Sequence, residues 1–189
     1  VEDMNLMRGI PGMTVLVPVD AVETTKMVAA MANNPGPMYI RINRNDLPIL
    51  TPTDTPFEIG KLYTIREGKD VVVFANGVMV SKALAAAEEL AAQGVSVKVV
   101  NVSTVKPLDR KAVIDCAKGM KAVVTAEEHS VIGGLGSAIA EALRLEKGAP
   151  LDFVGIEDVF GTSALNYDEL LVHYGLTAQA IVGRIKKLL

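Results

Sequence analysis

Arg41-Ile42-Asn43-Arg44-Asn45-Asp46-Leu47-Pro48 sets two permanent cations close behind an apolar run and just ahead of a proline. A guanidinium is a planar fork of donors that matches a phosphate or carboxylate, so the chemistry on offer is capture of an anionic group on a small molecule. Side chains alternate along an extended strand, so at most one of these arginines follows the strand register into a pocket. The bend before Pro48 must aim the other. The competing reading is that both make surface ion pairs.

Other clusters carry weaker signals. Gly133-Gly134-Leu135-Gly136-Ser137 follows a strand and opens a helix, where backbone amides can hold an anion. It lacks both the Lys-Ser/Thr ending of a nucleotide phosphate loop and the G-x-G-x-x-G dinucleotide spacing, so its glycines read as structural. Glu127-Glu128-His129 sits at a strand's C-terminal end, where open α/β sheets place ligands. Adjacent residues there point in opposite directions and no nucleophile is near, so His129 reads as a surface or interface residue. His173 precedes a glycine helix cap at Gly175 and is assigned no chemistry. Asp20, Glu23, Glu157 and Asp158 match no metal-binding spacing and read as capping and solvated residues.

These residues must be positioned by a chain of 189 residues, half of them hydrophobic, which is enough for one good core or two modest ones in a soluble globular protein. A net charge of -3 gathers no nucleic acid, and the one basic cluster, Arg184-Ile185-Lys186-Lys187, suits a helix C-terminus. With no Trp, four Phe and four Tyr, the core must be aliphatic, which argues against nucleobase stacking. The single cysteine, Cys116, forms no internal disulfide and reads as a buried, inert thiol in a reducing interior such as the cytoplasm. No apolar run reaches the roughly 18 residues of a membrane span, and Val1-Glu2-Asp3 is not the basic start of a signal peptide.

Periodicity predicts strands at Met13 to Val17 and Met38 to Ile42 around a helix from Ala21 to Asn33 capped by Asp20, a parallel crossover unit. Glu2 to Arg8 reads as an earlier helix. Thr and Pro then replace aliphatics from Leu50 to Pro56, and residues 51–60 read as a linker. Beyond it, strands at Val71 to Ala75, Val95 to Val100, Ala122 to Thr125 and Asp152 to Ile156 alternate with helices at Val78 to Gln93, Asp109 to Lys118 and Gly136 to Leu145. Helices at Asp168 to His173 and Thr177 to Leu188 follow. The expected class is α/β: an incomplete parallel-sheet fragment over residues 1–50, then a compact α/β domain over residues 61–189 with a mostly parallel sheet. Two strands and a helix cannot close a sheet, so the first unit is expected to be truncated and completed by something upstream or by another polypeptide.

In order, Glu2-Asp3, Leu6-Met7-Arg8-Gly9-Ile10-Pro11-Gly12-Met13, Val17-Pro18-Val19-Asp20 and Gly36-Pro37-Met38-Tyr39-Ile40-Arg41-Ile42-Asn43-Arg44 resemble the later part of the pyrimidine-binding domain of transketolase. Asn76-Gly77, Val105-Lys106-Pro107-Leu108-Asp109, Glu127-Glu128-His129, Gly133 to Ser137 and Phe160-Gly161-Thr162-Ser163 resemble the family's C-terminal domain. The match is closest to split transketolases, in which separate polypeptides carry the two halves.

The resemblance implies transfer of a two-carbon ketol unit from a ketose phosphate to an aldose phosphate, with thiamine diphosphate as electron sink and a divalent metal holding it in the complete enzyme. It aligns Arg44 with the arginine that binds the sugar phosphate, and Arg41 with a neighbouring position as a second substrate-binding candidate. The family's catalytic groups precede the matched region, and another domain holds the diphosphate and metal. It follows that no catalytic, cofactor or metal residue is assigned here, and the chain alone is expected to be inactive. The implied partners are an N-terminal half or subunit, a second copy in a homodimer, and sugar phosphates. Deoxyxylulose-phosphate synthase and the 2-oxoacid dehydrogenase beta subunit share both domains, but the paired arginines favour a phosphorylated sugar over a lipoyl arm. Two readings of another class are a non-catalytic dimerisation module and an anion-binding regulator using the glycine loop.

Overall fold

A computed structural model describes all of residues 1–189. Strands β4 (Val71–Ala75), β5 (Val97–Asn101), β7 (Ala122–Ser130) and β8 (Leu151–Ile156) pair in parallel, and β3 (Tyr63–Arg66) adds an antiparallel edge in the order β3-β5-β4-β7-β8. β4 is buried throughout because it is central and covered on both faces. Its alternation sorts the two cores. Val71, Val73 and Ala75 meet α3 (Met79–Ala91) and α7 (Ala178–Leu188) through Ala83, Leu90, Ile181 and Ile185. Val72 and Phe74 meet α4 (Arg110–Ala117) and α5 (Leu135–Leu143) through Val113, Leu135 and Ile139. Each Val, Leu, Ile or Phe among these, moved fully out of water, contributes about 1.5–3 kcal/mol.

The N-terminal segment forms α1 (Asp3–Gly9), β1 (Thr14–Leu16), α2 (Ala21–Ala32) and β2 (Met38–Ile40), with β1 and β2 parallel as the crossover pattern predicts. The sheet does not stop at two strands. β6 (Thr104–Lys106), which periodicity missed, pairs antiparallel with β1 to give the order β2-β1-β6. Met4, Val15, Val17, Val105 and Ala138 close a third apolar cluster between α1, this sheet and α5. The stretch read as a linker is pinned at its start, because the second oxygen of the α2 cap Asp20 accepts from the amides of Leu50 and Thr51, each at 2.7 Å. Lys26 Nζ also donates to the carbonyls of Pro52 and Thr55. The last helices are α6 (Tyr167–His173) and α7, with Lys186 and Lys187 in the final turn. No helix is long and apolar enough to cross a membrane.

Candidate functional site

β2 runs out at Ile40, and the Arg41 amide adds one more ladder bond to the Leu16 carbonyl at 2.9 Å. Period-two alternation then carries Tyr39, Arg41 and Asn43 to one side, where they line a cleft of about 590 Å³ with Asp3, Glu128 and Tyr167. Arg41 follows this register and finds two carboxylates: Nε donates to Asp3 at 3.1 Å and Nη1 to Glu128 at 3.2 Å. Asn43 Nδ2 reaches the same Glu128 oxygen at 3.3 Å and the Tyr167 hydroxyl at 2.5 Å, while the Tyr39 hydroxyl donates to Asp3 at 2.7 Å. The network ties α1, the end of β2, β7 and α6 together.

Electrostatics follow from that packing. Burial works to raise the Asp3 carboxyl, but the Tyr39 hydroxyl and the Arg41 charge outweigh it and hold the group below the ordinary carboxylate value. Burial and the Asp3 charge push the Tyr39 phenol up to about 12, and burial with Glu128 raises Tyr167 as well. Desolvation opposes the Arg41 charge, yet Glu128 and Asp3 overcome it and hold the guanidinium firmly protonated.

Arg44 lies past the turn. The Asn45 amide donates to Asn43 Oδ1 at 2.8 Å, a side-chain-closed turn that lifts the backbone off the strand line. Arg44 is exposed, has no carboxylate within 4.0 Å, and borders both the cleft just described and a neighbouring one of about 460 Å³ lined by Asp20, Thr24 and Thr25. Of the two arginines singled out by sequence, one is consumed by an internal ion network and the other is free to meet an anion.

The Glu127-Glu128-His129 run splits as alternation requires, with Glu128 facing the cleft and its neighbours turned inward. The expectation of a surface His129 is overturned, because its side chain is fully buried. Its Nε2 accepts from the amides of Met4 at 3.1 Å and Asn5 at 3.4 Å, so it satisfies the first turn of α1. Burial depresses its basicity, in keeping with a neutral ring whose Nδ1 lies 2.7 Å from the Ser130 carbonyl. Glu127 is equally buried and accepts from the amides of Leu135 at 2.6 Å and Gly136 at 2.8 Å, so the glycine turn is occupied by the chain's own carboxylate. A Cβ on Gly134 would stand 2.0 Å from Glu127 Oε2, which is why that residue is glycine. Burial pushes the Glu127 carboxyl up to about 7 despite both donors. It is sealed from solvent.

Asp20 caps α2, accepting from the Glu23 amide at 2.8 Å. Glu23 is not solvated as expected: it is 3% exposed and accepts from the Val19 amide at 2.7 Å and Asn101 Nδ2 at 3.0 Å, burial raising its carboxyl. Cys116 is half-buried rather than buried, and desolvation raises its thiol. No group of three or more His, Cys, Asp or Glu side chains converges to hold a metal ion. Sequence reasoning missed Asp3, Tyr39, Asn43 and Tyr167. Tyr39 and Asn43 were readable as strand-period neighbours of Arg41, whereas Asp3, on α1, and Tyr167, on α6, lie too far along the chain to leave a local signal.

Comparison with known proteins places this geometry in a family. The model of the transketolase pyrimidine-binding domain matches residues 1–49, and that of the transketolase C-terminal domain matches residues 60–181. A 6-deoxy-6-sulfo-D-fructose transketolase subunit of Clostridium sp. (strain MSTE9) is 48% identical over 181 residues, covering 96% of this chain and 56% of that protein. A putative transketolase C-terminal section of Methanocaldococcus jannaschii is 40% identical, covering 97% of this chain and 58% of that protein. A solved split-gene transketolase, described as an inactive beta4 tetramer, superposes with a TM-score of 0.95 at 46% identity over 100% of this chain and 61% of its own. The chain spans less than two thirds of the length of these relatives.

Proposed function

The chain belongs to the transketolase family, corresponding to its C-terminal section of the split-gene type, and on that premise we propose that it completes an enzyme moving a two-carbon ketol unit between sugars. A separate N-terminal subunit supplies the thiamine diphosphate site and its divalent metal; the coenzyme provides the electron sink. Supporting that division, the one glycine-rich strand-to-helix turn on this chain is filled by Glu127 and does not fit a diphosphate. The isolated chain is inactive by this reading, the assembled enzyme is a cytoplasmic homodimer of such pairs, and sugar phosphates are the substrates.

The observation that carries the proposal is the unpaired Arg44 guanidinium beyond β2, between two open clefts, beside an Arg41 already neutralised by Asp3 and Glu128. Arg44 grips the terminal anion of the sugar; Arg41 holds the floor against which the sugar lies. The name of the Clostridium relative adds a second anion to consider, because a sulfonate offers a guanidinium the same oxygen array as a phosphate.

The test is a coupled assay of the chain assembled with its N-terminal subunit, thiamine diphosphate and magnesium, using phosphorylated, 6-sulfonated and neutral ketoses, with pyruvate as the alternative donor. One charge-assisted hydrogen-bonded contact is worth about 1.5–3 kcal/mol, so Arg44→Gln should raise KM for the anionic donor roughly 10- to 150-fold with kcat little changed. Equal loss with the neutral ketose, or turnover of pyruvate alone, refutes the assignment.

A further inference from the structure

Away from the Arg44 clefts, and sharing no residue with them, a cleft of about 510 Å³ opens between β6 and the α4 and α5 helices. Four cations line it, Arg8, Lys106, Arg110 and Arg144, against one carboxylate, Glu141. In a chain of net charge -3 this is a concentrated positive field, and a concave low-dielectric wall focuses it.

The cations are held in place by backbone. Lys106 Nζ donates to the carbonyls of Arg8 and Ile10 at 2.8 and 2.7 Å, at the end of α1. Arg110 Nη2 and Arg144 Nη1 both donate to the Glu141 carbonyl near the end of α5, at 2.9 and 2.8 Å. Two guanidiniums converging on one oxygen must lie close together. Capping of helix carbonyls accounts for one donor of each, and a guanidinium has five. Arg8 Nη2 pairs with the Glu141 carboxylate at 3.0 Å, so the single acid in the cleft is already matched to one of the four cations. Arg110, Arg144 and Lys106 remain without a carboxylate partner in the cleft.

We infer that this cleft binds a small, multiply charged phosphate anion, with the diphosphate group as the element recognised. Preorganised, converging guanidinium forks are the geometry that bidentate phosphate recognition uses. The remaining lining is Val105, Leu108, Ala138 and Ala142, with no aromatic side chain, so the cleft offers charge but no platform for a base. The volume falls within the usual range for small-molecule sites. This site is independent of the sugar-binding reading.

Isothermal titration at fixed ionic strength, with the full-length protein that carries this chain, tests it directly. Inorganic pyrophosphate and ADP should bind saturably and with similar affinity, and orthophosphate at least tenfold more weakly. The exposed double variant Arg110→Gln/Arg144→Gln should weaken pyrophosphate at least tenfold without lowering the melting temperature, and Arg44→Gln should leave it unchanged. Lys106→Gln, measured separately, should weaken binding by a smaller factor. The inference is overturned if pyrophosphate shows no saturable binding, if ADP binds and pyrophosphate does not, if the double variant binds as wild type does, or if Arg44→Gln alone abolishes binding.

Discussion

Replacing Arg41 by Gln separates a substrate arginine from a structural one. The change removes the cation between Asp3 and Glu128 and leaves two carboxylates facing each other beside Tyr39 and Tyr167. Breaking a fully buried pair costs about 3–5 kcal/mol, since the surviving charge loses its partner but stays desolvated. Here the side chains of Asp3, Arg41 and Glu128 keep 30%, 22% and 21% exposure, so water still reaches them and the loss should be about 2 kcal/mol. For a chain of this size that lowers the melting temperature by about 4–8 °C. Arg44→Gln removes an exposed, unpaired side chain and should cost less than about 0.5 kcal/mol. Scanning calorimetry at neutral pH reads both. Titration in acid sharpens the test. The Asp3 carboxyl is depressed in the fold, so its contribution is complete above the range of a free carboxylate and fades as pH falls through its lower folded value. Arg41→Gln takes away one cause of that depression, so the part of the acid loss due to Asp3 should be smaller than in the wild type and complete at a higher pH. Adding Glu128→Gln to Arg41→Gln should restore part of the lost stability. The reasoning fails if Arg41→Gln melts within about 1 °C of the wild type, or if Arg44→Gln is the more damaging change.

Two further outcomes follow from the buried glutamate. Glu127 has a folded value near 7, above that of a free carboxyl, so folding favours its protonated form; its contribution should decline as pH rises from about 4.3 to 7 and then level off. The difference in unfolding free energy between wild type and Glu127→Gln, followed by urea denaturation from pH 4.5 to 8, should show that slope, and a flat difference would contradict it. Gly134→Ala places a methyl 2.0 Å from Glu127 Oε2 and 2.7 Å from His129 Nδ1, both fully buried. It should cost about 2–4 kcal/mol in the same assay, and an unchanged midpoint would show that the carboxylate can move aside.

How much was legible in the sequence depends on the distance between partners. The crossover of β1, α2 and β2 and the alternation of β4, α3, β5 and α4 were readable from apolar periods and from caps, Asp20 for α2 and Asp109 for α4. β6 was not, since Thr104–Lys106 is too short to show a period and owes its form to pairing with β1, about ninety residues away in sequence. His129 illustrates the same limit. Its type and neighbours suggested a surface residue, and only the approach of the Met4 and Asn5 amides from the far end of the chain makes it an internal acceptor. The two arginines were visible from their position behind β2, but which of them is neutralised depended on Asp3 and Glu128, brought in by α1 and β7. Glycine spacing argued against a phosphate loop, whereas the Glu127 carboxylate that accepts from the turn's amides could be seen only once the turn had closed around it.

The clasp of Thr104–Lys106 onto Thr14–Leu16 has a mechanical consequence. The stretch around residues 51–60 cannot serve as a swivel, for rotating one matched segment against the other would tear the antiparallel ladder that joins them. A force on the edge of β2 is therefore carried across β1 into the strand that feeds α4.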